Sequence, residues 1–391
     1  MKSLLNKDAL NRVVFCACLL PALSIAQGAE PITIFMTPDH WSTRDNAEFF
    51  RQLGFYRGLM RLNSGSAVLK DIAFSDGTIE FDVNTIGRGA PGIAFRQQDE
   101  KNFELLYLRP DPACPAFQAC MQYAPQTHGI LLWDLFPQYQ TRAPLRENGW
   151  NHIRMVVSGR RMNVFVNDAP LPTLQVGRLE GDALKGSLHL EGPGTFANMV
   201  ITPDAVDGLS PEPSRDPLDG DRGLVRTWRL SRFSELPNGK DPLYNEMPAA
   251  SQEWKSISVE RNGLVNLSRE YGRPLPQPER AVAWLKTTIT SDRKQAKKVE
   301  IGWTRELWVF VNGKLLYADK NLWELEQTRK APDGRCSLEN GSFTLPLEAG
   351  DNEVAVAIAN NFYGWGLMLR LEDPEGVRLP SLRLSAAKRH F

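Results

Sequence analysis

The sequence predicts an all-β protein built from two tandem antiparallel β-sandwich domains. Three observations predict this fold: short segments in which apolar and polar residues alternate, turn-forming residues between those segments, and one stretch of linker composition near the middle of the 391-residue chain. A chain of this length has enough residues for two domains, because single domains commonly have about 100 to 150 residues.

Residues 1–26 are predicted to be a cleaved signal peptide. A basic start, MKSLLNKDALNR, precedes the apolar run VVFCACLLPALSIA, which is too short to span a bilayer and ends at the small residues Ser24 and Ala26. No later stretch is apolar for long enough to cross a membrane. The sequence therefore predicts a soluble mature protein that is periplasmic or secreted in a bacterium.

Residues 30–205 are predicted to form the first sandwich. In the segment TIEFDV, apolar residues alternate with acidic ones, which is the period of a strand with one buried face. The segment AEFFRQLGFYRGL has a periodicity that is compatible with a helix. The other predicted strands are GIAFRQQ, NFELLYLR, GILLWDL, WNHIRMVVSG, MNVFVN and GSLHLEG.

Residues 206–222 are rich in Pro, Asp, Gly and Ser, which predicts a linker, and residues 223–385 are predicted to form the second sandwich. Its strands include VAWLKTTIT, KKVEIGW, ELWVFVNG and NEVAVAIAN. Aromatic residues are dense there, and most are expected in the core. Those beside loops, Trp323, Tyr363 and Trp365, form an alternative binding platform.

Two near copies, NVFVNDAP and WVFVNGKL, each end a predicted strand at a turn. Asn312-Gly313 predicts a tight two-residue hairpin, because both residues tolerate positive φ. Asn167-Asp168, followed by Pro170, predicts a looser connection. The repeated phrase therefore indicates a shared turn and not a shared site.

The charge and the motifs argue against several classes of function. Forty-six basic residues balance 46 acidic ones, so the chain is not built to attract nucleic acid or an anionic membrane. GRGAPG matches G-x-G-x-x-G, but a strand and not a helix follows it, so no dinucleotide site is predicted. The histidines are too scattered for a zinc site. No cofactor is predicted, and a structural calcium ion stays open with no ligand named.

Three cysteines remain after the predicted signal. Cys114 and Cys120 bracket the loop CPAFQAC and are predicted to form a disulfide in an exported protein, which leaves Cys336 unpaired. The alternative is that all three are reduced thiols.

Several segments carry resemblances to known families. In order, FSDGTIEFDV, RGAPGIAFRQQDEKNFELLYLRP, MQY, GILLWDL, WNHIRMVVSGRRMNVFVND and FANMVI resemble the concanavalin A-like lectin/glucanase jelly rolls, and within them the bacterial 3-keto-disaccharide hydrolases. ELWVFVNGKLLYAD and AGDNEVAVAIANNFYGWGLMLRLED resemble a galactose-binding-like jelly roll. Together the resemblances cover most of the mature chain. They imply two jelly rolls and a carbohydrate partner held on a sheet face and its rim loops.

The predicted binding residues combine polar groups for sugar hydroxyls with rings for the apolar faces of sugars. Alternation along the strand separates Glu104 from Tyr107 and Arg109, so these side chains cannot all share one face of a regular strand. In the alternative interpretation, Trp133 and Tyr107 are core residues and Arg96 and Glu104 form a surface ion pair. The predicted ligand-binding residues are Arg96, Tyr107, Arg109, Gln122, Tyr123 and Trp133.

Three functions follow from these residues. The first is carbohydrate recognition by the first sandwich, with the second as an accessory. The second, implied by the resemblance to 3-keto-disaccharide hydrolases, is hydrolysis or elimination on glucosides, including 3-keto-glucosides. A 3-keto group acidifies the neighbouring C–H bond, so a single general base, Glu104 or His128, would suffice, and the E-x-D-x-x-E motif of jelly-roll glucanases is missing. The third is a non-catalytic surface or protein-interaction module.

Overall fold

The computed structural model describes residues 30–43, 47–85, 87, 89–114, 116, 118–276 and 279–380. The predicted signal peptide lies outside these residues. The described chain is almost entirely β-structure, with one short helix, α1 (Leu267–Tyr271), among the described residues. Single 3-10 turns lie at Pro137–Tyr139, Tyr244–Glu246 and Arg261–Gly263.

Sixteen strands precede residue 204 in the described chain and form a sandwich of two antiparallel sheets. They are β1 (Ile32–Thr33), β2 (Trp41–Thr43), β3 (Ala47–Phe50), β4 (Leu59–Leu62), β5 (Ser66–Leu69), β6 (Gly77–Thr85), β7 (Gly92–Asp99), β8 (Asn102–Leu108), β9 (Met121–Thr127), β10 (Ile130–Leu131), β11 (Gln140–Thr141), β12 (Trp150–Ser158), β13 (Arg161–Val166), β14 (Leu174–Val176), β15 (Ser187–Glu191) and β16 (Gly194–Pro203).

One sheet has the strand order β14-β13-β12-β6-β16-β4-β3, with β1 on β16. The other has the order β10-β9-β8-β7-β15-β5-β2, with β11 on β9. Many neighbours in each sheet are distant in sequence, as in a jelly roll, so the sheets are held by long-range pairing. The predicted alternation in TIEFDV is confirmed, because Ile79, Phe81 and Val83 are buried between the sheets while Glu80 and Asp82 are only partly buried.

The second sandwich follows residue 223 and also has two antiparallel sheets, with the orders β19-β17-β21-β26-β23-β24 and β20-β27-β22-β25. Strands β18 and β28 add to β21. Its strands are β17 (Thr227–Leu230), β18 (Ser234–Leu236), β19 (Lys255–Ser258), β20 (Val265–Asn266), β21 (Arg280–Ser291), β22 (Gln295–Trp303), β23 (Arg305–Val311), β24 (Lys314–Asn321), β25 (Gly341–Leu347), β26 (Gly350–Asn360), β27 (Gly366–Leu371) and β28 (Val377–Arg378).

The hydrophobic core of the first sandwich continues into the second. Leu264, Cys336 and Met368 of the second half belong to the same buried cluster as the inner residues of the first sandwich. The predicted linker, residues 206–222, is also attached to the first sandwich, since Ser214 donates its backbone N–H to Gly177 O at 2.9 Å. The two sandwiches are therefore packed against one another.

Two local predictions were wrong. AEFF is strand β3 and not a helix, because it pairs with β4 and Glu48 forms an ion pair with Arg61 across the strands at 3.2 Å. GILLWDL is a strand only over β10, because Leu132 N bonds to Pro125 O and the chain turns there.

The prediction for the repeated phrase is confirmed. Asn312-Gly313 joins β23 directly to β24, with Val311 opposite Lys314. Strand β13 instead ends at Val166 and is joined to β14 by a longer loop. The pair nearest to this loop is Val164 with Leu174.

Candidate functional site

A cleft of about 350 Å³ lies between the outer face of strands β7 to β10 and two loops of the second sandwich. We call it the intersandwich cleft. The first sandwich lines it with Tyr107, Arg109 and Trp133, and the second with Trp323, Arg335 and Tyr363. Three of the predicted binding residues are therefore together, and the other three cleft residues come from a part of the chain about 200 positions later.

Tyr107 and Gln122 are direct partners across β8 and β9, so their side chains share the outer face of the sheet. The Tyr107 hydroxyl donates to Gln122 Oε1 at 2.9 Å and accepts from Arg109 Nη2 at 2.6 Å. Gln122 Nε2 donates to the backbone oxygen of Trp133 at 2.6 Å. Burial raises the pKa of Tyr107 to about 12, so it is a neutral hydroxyl at physiological pH.

The loop from residue 110 to 120 fixes Arg109 from the other side. A disulfide joins Cys114 and Cys120, and Arg109 N donates to Cys120 O at 2.7 Å. Arg109 Nη1 also donates to Ala119 O at 3.2 Å and to Gln122 Oε1 at 3.1 Å. The guanidinium is thus held by neutral acceptors on both sides.

Aromatic rings of both sandwiches meet in the cleft. Trp133 is 6 % exposed, and its ring lies edge to face with Trp323 at 5.6 Å and with Tyr363 at 5.8 Å between centroids. Arg335 lies over the Trp133 ring, with Cζ 5.0 Å from the centroid. Trp323 is 41 % exposed, and the guanidinium of Arg329 lies over its ring with Cζ 5.6 Å from the centroid.

Asp134 holds the two loops of the second sandwich in place. Its Oδ1 and Oδ2 accept from Gly364 N at 3.0 and 3.1 Å, and its backbone oxygen accepts from Cys336 N at 2.8 Å. Burial raises the pKa of Asp134 to about 7. The structure has no space for a side chain at Gly364, since a Cβ there would be 2.3 Å from Asp134 Oδ1.

Three other predicted residues, Arg96, Glu104 and Tyr123, form a second, separate set on the opposite side of the same sheet. Glu104 is 1 % exposed and accepts from the Tyr123 hydroxyl at 2.6 Å and from Gly181 N at 3.1 Å. Arg96 donates to Ser75 O and, at 2.9 Å, to Asp76 Oδ1. The alternative of a surface ion pair is wrong, because Arg96 and Glu104 are both buried and the ion-pair partner of Arg96 is Asp76.

Glu104 and Arg96 border a smaller pocket of about 190 Å³, which we call the Glu104 pocket. Burial raises the pKa of Glu104 to about 7, against the opposing effects of the Tyr123 hydrogen bond and the Arg96 charge.

His128 is not part of either set. It lies exposed on the turn between β9 and β10 with φ 51°, and its backbone N–H donates to Asn102 Oδ1. Its Cβ faces Gly272 of the second sandwich. Within the described part of the chain, no hydrogen bond or ion pair joins His128 to Glu104, so the structure does not bring the two predicted catalytic residues together.

Sequence reasoning missed Arg335, Asp134, Gly364 and the closeness of the two sandwiches. Trp323 and Tyr363 had a usable signal, because both lie beside loops in the sequence, whereas Trp365 is buried in the second core. Nothing near Arg335 in the sequence distinguishes it from a surface arginine. Its place depends on tertiary contacts alone.

Among the described residues, no group of three or more His, Cys, Asp or Glu side chains is arranged to hold a metal ion. Cys336 is a buried free thiol whose pKa is raised by burial. None of the helices in the described ranges has the length and apolarity needed to cross a bilayer.

No family model and no curated protein matches the sequence. Among solved structures, a carbohydrate-binding module, CBM66, from Bacillus subtilis is similar at 16% identity and a TM-score of 0.30, over 45% of this chain and 97% of that one. A putative glycosyl hydrolase from Parabacteroides distasonis is similar at 15% identity and a TM-score of 0.30, over 44% of this chain and 98% of that one. The galectin LEC-6 from Caenorhabditis elegans is similar at 14% identity and a TM-score of 0.26, over 41% of this chain and 98% of that one. These scores are too low to support an inference about function.

Proposed function

We propose that this protein recognises a carbohydrate and that the ligand binds in the intersandwich cleft. The observation that supports this is the meeting of three aromatic rings with the Tyr107–Arg109–Gln122 network in one cavity. Sugar rings have apolar C–H faces that pack on flat side chains, and hydroxyls that pair with amide, phenol and guanidinium groups. The second sandwich is then part of the site and not only an accessory.

The size of the cleft supports a short ligand. Its volume of about 350 Å³ is at the lower end of the range of about 300 to 1,000 Å³ that small-molecule pockets occupy. We infer that one or two sugar units are enclosed and that a longer chain would continue along the exposed face of Trp323.

Replacement of Trp323 by alanine tests this proposal. Trp323 is 41 % exposed, so its loss leaves a small cavity and the fold should survive. In affinity gels that contain a panel of polysaccharides, we expect retardation of the wild-type protein and at least a tenfold weaker interaction of Trp323→Ala.

The matched control is Tyr56→Ala, which removes an aromatic ring that is 91 % exposed and does not line the cleft. This variant should bind as the wild type does. If no polysaccharide retards the wild-type protein, carbohydrate recognition is wrong and a protein-interaction module becomes the better proposal. If Tyr56→Ala and Trp323→Ala bind equally well, the site is elsewhere.

A second candidate function is cleavage of a 3-keto-glucoside in the Glu104 pocket. The observation that favours it is a carboxyl group with a pKa of about 7 at the edge of a cavity. A keto group acidifies the neighbouring C–H bond, and a base whose pKa is near the working pH suits the removal of that proton. The exposure of Glu104, only 1 %, speaks against it.

Product release from 3-keto-glucosides tests this second function. We expect turnover to vanish in Glu104→Gln, which keeps the shape of the side chain. It should persist in His128→Ala, because the His128 side chain does not line the pocket and the backbone bond from His128 to Asn102 is kept. Unchanged turnover in Glu104→Gln would exclude Glu104 as the base.

The domain limits and the location of the protein are also proposals. We propose domains at 30–205 and 223–385 with the segment 206–222 between them, since the described strands of the two sandwiches fall on either side of that segment. Export to the periplasm or the medium is proposed from residues 1–26 alone.

A further inference from the structure

Arg109 is a cation in the cleft, and the described residues give it no anionic partner. Its hydrogen bonds go to neutral acceptors, namely the backbone oxygen of Ala119, the amide oxygen of Gln122 and the hydroxyl of Tyr107, and its guanidinium lies over the Tyr107 ring. Gln122 Oε1 and the Tyr107 hydroxyl are 2.9 Å apart and accept from Nη1 and Nη2, so we infer that they occupy the Nη1–Nη2 edge of the guanidinium group. In the described part of the chain, Nε and the second N–H of Nη2 have no acceptor.

Those two unused donors lie on the same edge of the guanidinium group, where they are parallel. A carboxylate accepts two parallel N–H bonds from this edge in a planar, bidentate arrangement. A single neutral oxygen can also accept from both donors, as Ser75 O does from Arg96 Nε and Nη2, but it offers one acceptor atom in place of two and brings no negative charge. The donor geometry therefore fits a carboxylate better than a neutral sugar.

The buried arginines of the chain show the contrast. Arg96, Arg280, Arg305 and Arg335 each have a carboxylate oxygen between 2.6 and 2.9 Å away, from Asp76, Glu306, Glu324 and Asp333 in that order. Burial of a charge is costly unless an opposite charge compensates it, and each of these four sites supplies that charge within the protein. Arg109 is only partly buried, because its side chain lines the cleft. An anion could reach it through the cleft.

Arg335 adds a second positive charge to the cleft wall. Its side chain is 1 % exposed, its Nη1 bonds to Asp333 Oδ2 at 2.8 Å, and its Nε is buried without an acceptor. Burial lowers the pKa of Arg109, and the charge of Arg335 lowers it further, while Asp333 acts in the opposite direction. Both guanidinium groups line the same cleft, so an anion bound there would be attracted by both charges.

The carboxylates that line the cleft are already engaged. Asp333 forms ion pairs with Arg335 at 2.8 Å and with Arg329 at 3.3 Å, and Glu191 is hydrogen-bonded to the His189 ring at 3.1 Å. Neither makes an ion pair with Arg109. The positive charge of Arg109 is therefore the one that a ligand would neutralise.

On the basis of the proposed function, we propose that the ligand is an acidic sugar. Its carboxylate binds the Nε–Nη2 edge of Arg109, and its ring packs beside Trp133 and Trp323. The chemical class is a uronic acid residue in an oligosaccharide or polysaccharide. Specificity for acidic over neutral sugars is then carried by Arg109, and the aromatic rings contribute similarly to both.

Calorimetric titration with matched pairs of ligands tests the proposal. Each pair is a uronate oligosaccharide, from polygalacturonate, alginate or hyaluronan, and the same oligosaccharide after reduction of its carboxyl groups to neutral hydroxymethyl groups. We expect the wild-type protein to bind at least one acidic form at least tenfold more tightly than its reduced form, with an affinity that decreases as salt is added.

Two variants test whether Arg109 causes the preference for acidic over reduced ligands. Arg109→Gln should remove the preference, so that the acidic form and the reduced form bind to this variant with the same affinity. Arg109→Lys, which keeps the charge and loses the bidentate edge, should retain part of the preference. If Arg109→Gln does not fold, as judged by its thermal unfolding transition, Arg109→Lys alone still carries the test.

The outcomes separate this proposal from the proposed function. Equal binding of acidic and reduced ligands by the wild-type protein would overturn the acidic-sugar proposal and keep carbohydrate recognition. A preference for acidic ligands that persists in Arg109→Gln would also overturn it. If no sugar of either kind binds, the proposed function itself fails, as in the affinity gels.

Discussion

The two faces of strands β8 and β9 use their polar side chains in different ways. On the inner face, Glu104 and Tyr123 bond to one another and to the backbone N–H groups of residues 180 and 181. On the outer face, Tyr107, Gln122 and Arg109 also form a network, but that network leaves donors of Arg109 without an acceptor. On the inner face the Glu104–Tyr123 pair is satisfied by the backbone of the chain, whereas on the outer face Arg109 is a cation that faces the cleft with no carboxylate bound to it among the described residues.

This difference follows from alternation along the strands. Tyr123 is next to Gln122 and Glu104 is three residues before Tyr107, so each pair falls on opposite faces. A polar cluster that looks continuous in sequence is therefore two clusters in space. The inner one is expected to affect stability, and the outer one is expected to affect binding.

A substitution on the inner face should cause the largest loss of stability. Glu104→Ala removes the partner of the buried Tyr123 hydroxyl and of Gly181 N and leaves a cavity, so we expect the free energy of unfolding to fall by about 3 kcal/mol. Binding in the intersandwich cleft should change little among the molecules that remain folded. Urea unfolding and ligand titration of the same sample check both parts. A large loss of cleft binding with normal stability would reverse the assignment of the two faces.

The contact between the sandwiches should give the next largest effect. Gly364→Ala places a Cβ 2.3 Å from Asp134 Oδ1 and 2.6 Å from Leu135 Cγ, so we expect a loss of about 2 kcal/mol in the free energy of unfolding and weaker ligand binding. The matched control is Gly149→Ala, where the nearest atom is at an ordinary 3.6 Å. Equal thermal unfolding midpoints for the two variants would show that the loop can move away at no cost.

Asp134 should make stability depend on pH. Its pKa rises from an ordinary 3.8 to about 7 in the folded protein, so the folded state holds more protons than the unfolded state between these values. Its contribution to stability is complete below about pH 4 and is lost as the pH rises through 7. From pH 5 to pH 8, the free energy of unfolding of the wild type should fall by on the order of 2 kcal/mol relative to Asp134→Asn. Glu104 should cause a similar change with pH in both proteins, so this change cancels when the two free energies of unfolding are subtracted. A difference between them that does not vary with pH would contradict the prediction.

The smallest effect concerns the outer network. Tyr107→Phe removes the hydroxyl between Arg109 and Gln122, and we expect a change of about 1 kcal/mol in the free energy of unfolding and an affinity for the ligand that is about fivefold lower. Arg109 then keeps its bonds to Ala119 and Gln122 but loses one contact that fixes its orientation. Calorimetric titration measures the affinity. An unchanged affinity would show that the remaining two acceptors are sufficient.

Much of the first sandwich could be predicted from the sequence, because alternation is a local signal. It predicted the strands, the separation of Glu104 from Tyr107, and the shared face of Tyr107 and Arg109. The location of Trp133 was only partly predictable, since the turn after β10 depends on a hydrogen bond from Leu132 to Pro125 and not on turn-forming residues.

The second half of the site could not be predicted from the sequence. Arg335 and Gly364 are more than 200 positions after Trp133 and Asp134 in the chain, and no period or motif connects them. Loops of this length take their conformation from what they contact. The contacts with Asp134 bring residues 336 and 364 to the first sandwich, and these contacts are tertiary.

The core that the two sandwiches share also limits how such a chain can evolve. Leu264, Cys336 and Met368 complete the buried cluster of the first half, so each half, if separated, would expose an apolar surface. Recombination within the segment 206–222 would join two sandwiches whose contact surfaces had not been selected to pack against each other. The two sandwiches are therefore expected to have been inherited as a pair, even though their strands alone would suggest interchangeable modules.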